Sequence, residues 1–193
     1  MRLQIFIFLL CLFFGKALTA QSSVDYTPLA DRLAEYGQLT MAWDINGLLD
    51  MTAPGLFEIV PRETIREQMT GLQSDENMEV TFHDFIIDRL GEAITQQGEA
   101  YVPVRCHHGI TFILKSERYR APDFAARIVR MLEKSYPKVQ FDATNHRIEV
   151  RVPKTMYAIR PGTNADWYFV EYRPENAALM DLLVPPSVRE QLK

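Results

Sequence analysis

Two cysteines are all that the 193 residues contain, and Cys11 lies in an apolar N-terminal run. With that run removed only Cys106 remains, so no internal disulfide can form and stability has to come from packing. Histidine is almost as scarce, with four in the chain: His83, His107, His108 and His146. Zinc sites need three or four converging ligands at recognisable spacing, and so few candidates argue against a metal centre. There is no Gly-rich phosphate loop, no G-x-S-x-G elbow and no CxxC pair. Internal repeats and long low-complexity stretches are missing as well. Positive charge is in deficit, with 21 Lys and Arg against 25 Asp and Glu and a net charge of −4. A chain of that sign is a poor partner for nucleic acid or for an anionic membrane.

What is present begins with "MRLQIFIFLLCLFFGKALTA". Arg2 precedes an apolar run from Leu3 to Phe14, and small residues follow at Ala17 and Ala20. This reads as a secretory signal peptide over residues 1–20, with cleavage after Ala20 and Gln21 as the new start. The run is short for a span of about 20 apolar residues, so no stable membrane anchor is expected. Leu10 precedes Cys11 where a lipidation site has a small residue, so no lipid is expected either. Loss of Arg2 and Lys16 would leave residues 21–193 two charges more negative than the precursor. The expected location is exported, either periplasmic or extracellular. Residues 21–193 suit one domain, since 47% of the chain is apolar, enough for a single core.

The next segment is helical in pattern. Thr27 is a good N-cap with Pro28 at the first helical position. Leu29, Leu33, Tyr36, Thr40, Trp43, Gly47 and Met51 follow at three- and four-residue spacing, which predicts one long helix ending at Pro54-Gly55. "LFEIV" is a turn, and Pro61 opens a further helix to Gly71. The period then switches to two: Met78, Val80 and Phe82 alternate with polar residues in a strand to about Asp88. A polar connection turns at Gly98, and Tyr101 to Lys115 is extended, with a bend or bulge expected at Gly109. Pro122-Asp123 starts a helix with Phe124, Ile128, Met131 and Leu132 on one side. Lys138–Phe141 and His146–Val152 form a hairpin about Asp142–Asn145. Lys154–Ile159 continues extended, "DWYFVEY" is the last strand, and two short helical pieces flank Pro185-Pro186. Helices first and hairpin strands after predict an α+β fold, a curved antiparallel sheet around a long N-terminal helix.

Two blocks carry a resemblance. "LLDMTAPGLFEIVPRETIREQM" and "DWYFVEYRPENAALMDLLVPPSVREQL" resemble the post-helix segment and the C-terminal ending of secreted bacterial nuclear transport factor 2-like (SnoaL-like, cystatin-like) proteins. The helix at 122–136 departs from that pattern by coming later. The resemblance implies a cone-shaped sheet with a ligand pocket between it and the first helix. It leaves function open, since that fold hosts isomerases, dehydratases, carriers and non-enzymes.

The stretch "YVPVRCHHGITFIL" concentrates the reactive letters. On a strand, side chains alternate, so Val102, Val104, Cys106, His108, Ile110, Phe112 and Leu114 share one face and Arg105, His107 and Thr111 the other. Adjacent histidines on a strand do not converge on one ion, so no metal and no cofactor are expected. Cys106 reads as a small hydrophobe. His108 falls on the apolar face, where desolvation should push its pKa below about 6.5. The arginines at 118, 120, 127 and 130 read as a solvated face. The catalytic candidates are His108 with Asp44, an Asp–His pair for proton transfer. The ligand-binding candidates are Trp43, Cys106, His108 and Phe112. The leading expectation is a non-catalytic module for a small apolar ligand or a protein partner, with a homodimer through the sheet as one form of partnership. The alternative is a cofactor-free isomerase or dehydratase.

Overall fold

A computed structural model describes residues 26–163 and 165–190; the expected signal peptide and the start at Gln21 lie outside them. The fold is α+β, with six antiparallel strands in one open sheet and eight α-helices among the described residues. Helices α1 (Thr27–Ala42), α2 (Ile45–Asp50), α3 (Gly55–Ile59) and α4 (Arg62–Gln73) come first. Strands β1 (Met78–Leu90), β2 (Ile94–Gln96) and β3 (Glu99–Leu114) follow. Helices α5 (Glu117–Arg120) and α6 (Pro122–Ser135) separate these from β4 (Lys138–Asp142), β5 (Arg147–Pro161) and β6 (Tyr168–Glu171). Helices α7 (Ala177–Leu183) and α8 (Pro186–Glu190) close the chain.

The predicted long helix to Met51 is corrected to two helices. Trp43 adopts the left-handed conformation at φ 49° and ends α1, its N–H donating to Leu39 and Thr40 carbonyls. Asp44 then caps α2 by accepting from the Gly47 N–H at 3.0 Å. The apolar stripe spans both helices because a sharp break between them keeps Leu29, Leu33, Leu49 and Met51 all buried. "LFEIV" lies largely within α3 rather than in a turn. At the start, Tyr26 rather than Thr27 holds the N-cap position, with Pro28 in the first turn. The Tyr26 hydroxyl accepts from Ala93 N–H at 2.9 Å, tying that end to the β1–β2 connection.

The sheet is built on two long central strands, β3 and β5, paired from Glu99↔Pro161 to Ile113↔Arg147. β1 and β2 flank β3, while β4 and β6 flank β5. The irregularity expected at Gly109 belongs instead to its neighbour. β1 shifts register between His83 and Ile86, with Asp84 at φ 56°, while β3 pairs with β5 without a break. The extra residue brings both Phe82 and Phe85 to the α1 side, where they meet Trp43 and Tyr36. Gly109 is needed for space: a Cβ there would lie 2.1 Å from the His83 ring.

One face of the sheet carries two apolar clusters. Val102, Val104, Cys106, Met156, Ala158 and Phe169 pack under Leu29 and Leu33 of α1. Leu114, Ile148, Val150 and Val152 pack under Ala125 and Leu132 of α6. Each fully buried aliphatic side chain of this kind contributes roughly 1.5–3 kcal/mol. Met131, expected on the inner side of α6, is 61% exposed, because Ala125, Ile128 and Leu132 set the packed stripe. The reverse face is covered at one end by α7 and α8, where Met180, Val184 and Val188 meet Tyr101, Tyr157 and Ile159. Its other end is polar.

Candidate functional site

Alternation along β3 and β5 determines which side chains meet α1. On β5 the buried face runs through Ile148, Val150 and Val152, and its next members are Lys154, Met156 and Ala158. Register places Lys154 opposite Cys106 and Val152 opposite His108. A lysine therefore stands in the apolar row that faces the helices. On β6 the same rule brings Phe169 and Glu171 to that side, opposite Ala158 and Met156.

These side chains line a cavity of about 430 Å³ between the sheet and the N-terminal helices. Tyr36, Thr40 and Trp43 come from α1 and its end, Leu49 from α2, Ile65 and Met69 from α4. Phe82, His108, Lys154, Phe169 and Glu171 form the sheet side, with Arg173 at the rim. The volume falls in the usual small-molecule range of roughly 300–1,000 Å³. The wall is mostly apolar and aromatic, with a few polar groups set into it.

Those polar groups are wholly or partly withdrawn from solvent. His108 is 3% exposed, and its Nδ1 has no hydrogen-bond partner. Burial, with the Lys154 charge adding to it, pulls the His108 pKa down to about 4. The Trp43 Nε1 is likewise buried without a partner. Its ring stands edge-on to Phe82 at 4.9 Å, and Phe82 lies 5.6 Å from the His108 ring, so the three rings form one wall. Lys154, 15% exposed, pairs with Glu171 at 3.2 Å, and Glu171 also pairs with Arg173 at 3.1 Å. Burial pulls the Lys154 pKa down, but the Glu171 carboxylate beside it offsets that, and the value is held above the ordinary one. Burial pushes the Tyr36 phenol up, so it stays a neutral hydroxyl. Among the lining residues two cations meet one carboxylate, while Glu175, 3.8 Å from Arg173, stands outside the lining.

The sequence-based candidates divide. His108 and Trp43 line the cavity. Cys106 does not: it is packed in the cluster under α1, its thiol pushed up to about 11 chiefly by burial. Phe112 packs in the α6 cluster instead. Asp44 is exposed, caps α2 and is not among the lining residues, so the Asp–His pair does not assemble. Lys154, Glu171 and Tyr36 were missed as site residues. The signal for Lys154 was present, since it is two residues past Val152 on the same alternating face. Glu171 could be found only from the β5–β6 register.

His107, on the face opposite His108 as alternation predicts, is held between two partners. Arg151 donates to its Nε2, leaving Nδ1 to donate to Asp88 at 2.8 Å. A second cavity of about 450 Å³ lies there, lined by His83, Asp84, Lys138, Gln140, Glu149 and Arg151 among others. It is an open surface hollow in which His83 pairs with Asp84 at 2.8 Å. Among the described residues no group of three or more His, Cys, Asp and Glu could hold a metal. No helix there is long and apolar enough to cross a membrane.

No protein-family model, curated protein or solved structure matches the chain at a significant level.

Proposed function

We propose that the protein is an exported, non-catalytic binding module for a small molecule with an apolar body and a hydrogen-bond-accepting head. The observation that carries this is the cavity under α1, where a largely covered lysine and two unpartnered ring nitrogens are set into an aromatic wall. The apolar lining would take the body, by the same area-proportional gain that drives core packing. Lys154 and the Trp43 N–H are donors, and His108, neutral at pH 7, accepts or donates by tautomer. An acceptor group on the ligand would satisfy donors that otherwise stay unpaired, each worth about 1–3 kcal/mol. The resemblance to secreted nuclear transport factor 2-like proteins points the same way, because that fold keeps its pocket between sheet and first helix. The export reading rests on residues 1–20.

The isomerase or dehydratase alternative has less support. Its acid–base pair would need a carboxylate free to act beside His108. Asp44 is occupied as a helix cap, and Glu171 is shared by Lys154 and Arg173.

Native mass spectrometry of the exported protein tests the proposal. A co-purifying small molecule is expected in the wild type and lost in Leu56→Trp, which fills the cavity from its lining. A ligand retained unchanged by the folded Leu56→Trp protein would place binding elsewhere.

A further inference from the structure

The buried face of β5 carries a second cation beyond Lys154. Arg160 lies opposite Ala100, near the start of α1, and its guanidinium stands 4.9 Å over the Trp167 ring. Unlike Lys154, it forms no ion pair among the described residues, and its Nε is buried without a hydrogen-bond partner. Trp167, 2% exposed, also has an unpartnered Nε1. Arg32 on α1 approaches from the other side, its Nε donating to the Trp167 carbonyl at 3.4 Å and its Nη1 to Glu35 at 2.7 Å.

Together with Pro28, Thr163, Ala165 and Asp166, these three residues line a separate cavity of about 190 Å³. At ~30 Å³ per water, it has room for roughly six water-sized groups. Pro28 lies in the first turn of the 16-residue helix α1, so the positive end of its dipole also bears on this cavity. Asp166 is exposed and forms no ion pair with either arginine among the described residues. Two guanidiniums and a helix N-terminus line a cavity whose one lining carboxylate, Asp166, is exposed, while Glu35, paired with Arg32, stands outside the lining. Such a concentration of positive charge is stabilised by an anion, and a half-buried guanidinium feels it more strongly than one in water.

We propose that this cavity is a binding site for a small carboxylate, of mono- or dicarboxylate size, held by Arg160 and Arg32. The planar fork of arginine matches a carboxylate through two parallel N–H···O bonds. The cation–π contact with Trp167 restrains the Arg160 fork, so less freedom is lost when the anion docks. The site is distinct from the cavity under Trp43 and His108, with which it shares no lining residue.

Isothermal titration with malonate, at ionic strength held constant with chloride, tests this. One saturable site per chain is expected. Trp167 should report it by fluorescence in the Trp43→Phe protein, because the chain has only two tryptophans. Arg160→Lys keeps the charge but removes the fork, and should weaken malonate by about tenfold or more. Arg32→Gln, at a position whose side chain is 24% exposed, should weaken it as well and decides the matter if Arg160→Lys does not fold. No saturable response up to about 50 mM malonate, or full affinity in folded Arg32→Gln, would overturn the assignment. Tighter binding of inorganic phosphate than of malonate would overturn the carboxylate class.

Discussion

Lowering the pH from 7 to 4 puts a proton on His108 in the unfolded chain that the folded protein refuses. The cause is structural. The ring is 3% exposed on the apolar face of β3, its Nδ1 has no partner, and burial with the Lys154 charge takes its pKa down to about 4. The unfolded value is about 6.5. Above pH 6.5 neither state binds the proton, and stability carries no penalty from this group. Between 6.5 and 4 only the unfolded state binds it, and stability falls by up to about 1.4 kcal/mol per pH unit. Below 4 both states bind it and the loss levels off at about 3 kcal/mol, from a difference of roughly 2.5 units at 1.36 kcal/mol each. Other groups contribute to any acid transition, so the comparison is with His108→Gln, which keeps a polar side chain and cannot titrate. Urea unfolding of both proteins at steps between pH 7 and 4 reads the difference. The wild type should lose stability relative to His108→Gln across that window, by about 2–3 kcal/mol at pH 4. Parallel curves, or a wild type that gains relative stability as the pH falls, would refute the burial argument.

Two further outcomes follow from the same geometry. Cys106 should resist a thiol-reactive dye until the protein unfolds, since the thiol is buried and its pKa is raised to about 11; fast labelling of the folded protein would contradict its place in the core. Trp43→Gly should be less destabilising than Trp43→Ala by about 1 kcal/mol in urea unfolding, because the residue sits at φ 49° where a Cβ is penalised. Were Trp43 inside a continuous helix, glycine would be the worse of the two by about the same amount.

The strands were readable because their alternation is strict and one-sided. Ile148, Val150 and Val152 identify the inner face of β5, and the same rule put His108 inside and His107 outside. The helix break at Trp43 was not readable from apolar spacing. A residue three on from Thr40 fits a continuing helix as well as an ending one, and neither Gly nor Pro marks the position. The better signal was Asp44 followed three residues later by Gly47, an N-cap geometry that turns a supposed catalytic acid into a structural one. The bulge was misplaced by one strand, because Gly109 makes room for the His83 ring while Asp84 supplies the extra residue. Lys154 was overlooked because a charged letter breaks the apolar run, although its parity with Val152 placed it in the cavity. Cys106 and Phe112 share that parity with His108, but Cys106 is packed in the closed cluster with Leu29 and Leu33, and Phe112 lies under α6. Parity selects a face, and only the tertiary packing selects which part of that face is open.

The cavity under α1 is most directly tested with two probes that share a body and differ in the head. Phenylacetate and phenethylamine each offer one aromatic ring, the first with an anionic acceptor and the second with a cationic donor. With Lys154 and Arg173 outweighing Glu171 among the lining residues, calorimetric titration should find phenylacetate tighter by about tenfold or more. Lys154→Met should remove most of that preference while leaving the apolar wall intact. Equal affinity for the two probes in the wild type, or a preference that Lys154→Met leaves unchanged, would contradict a binding site built around Lys154.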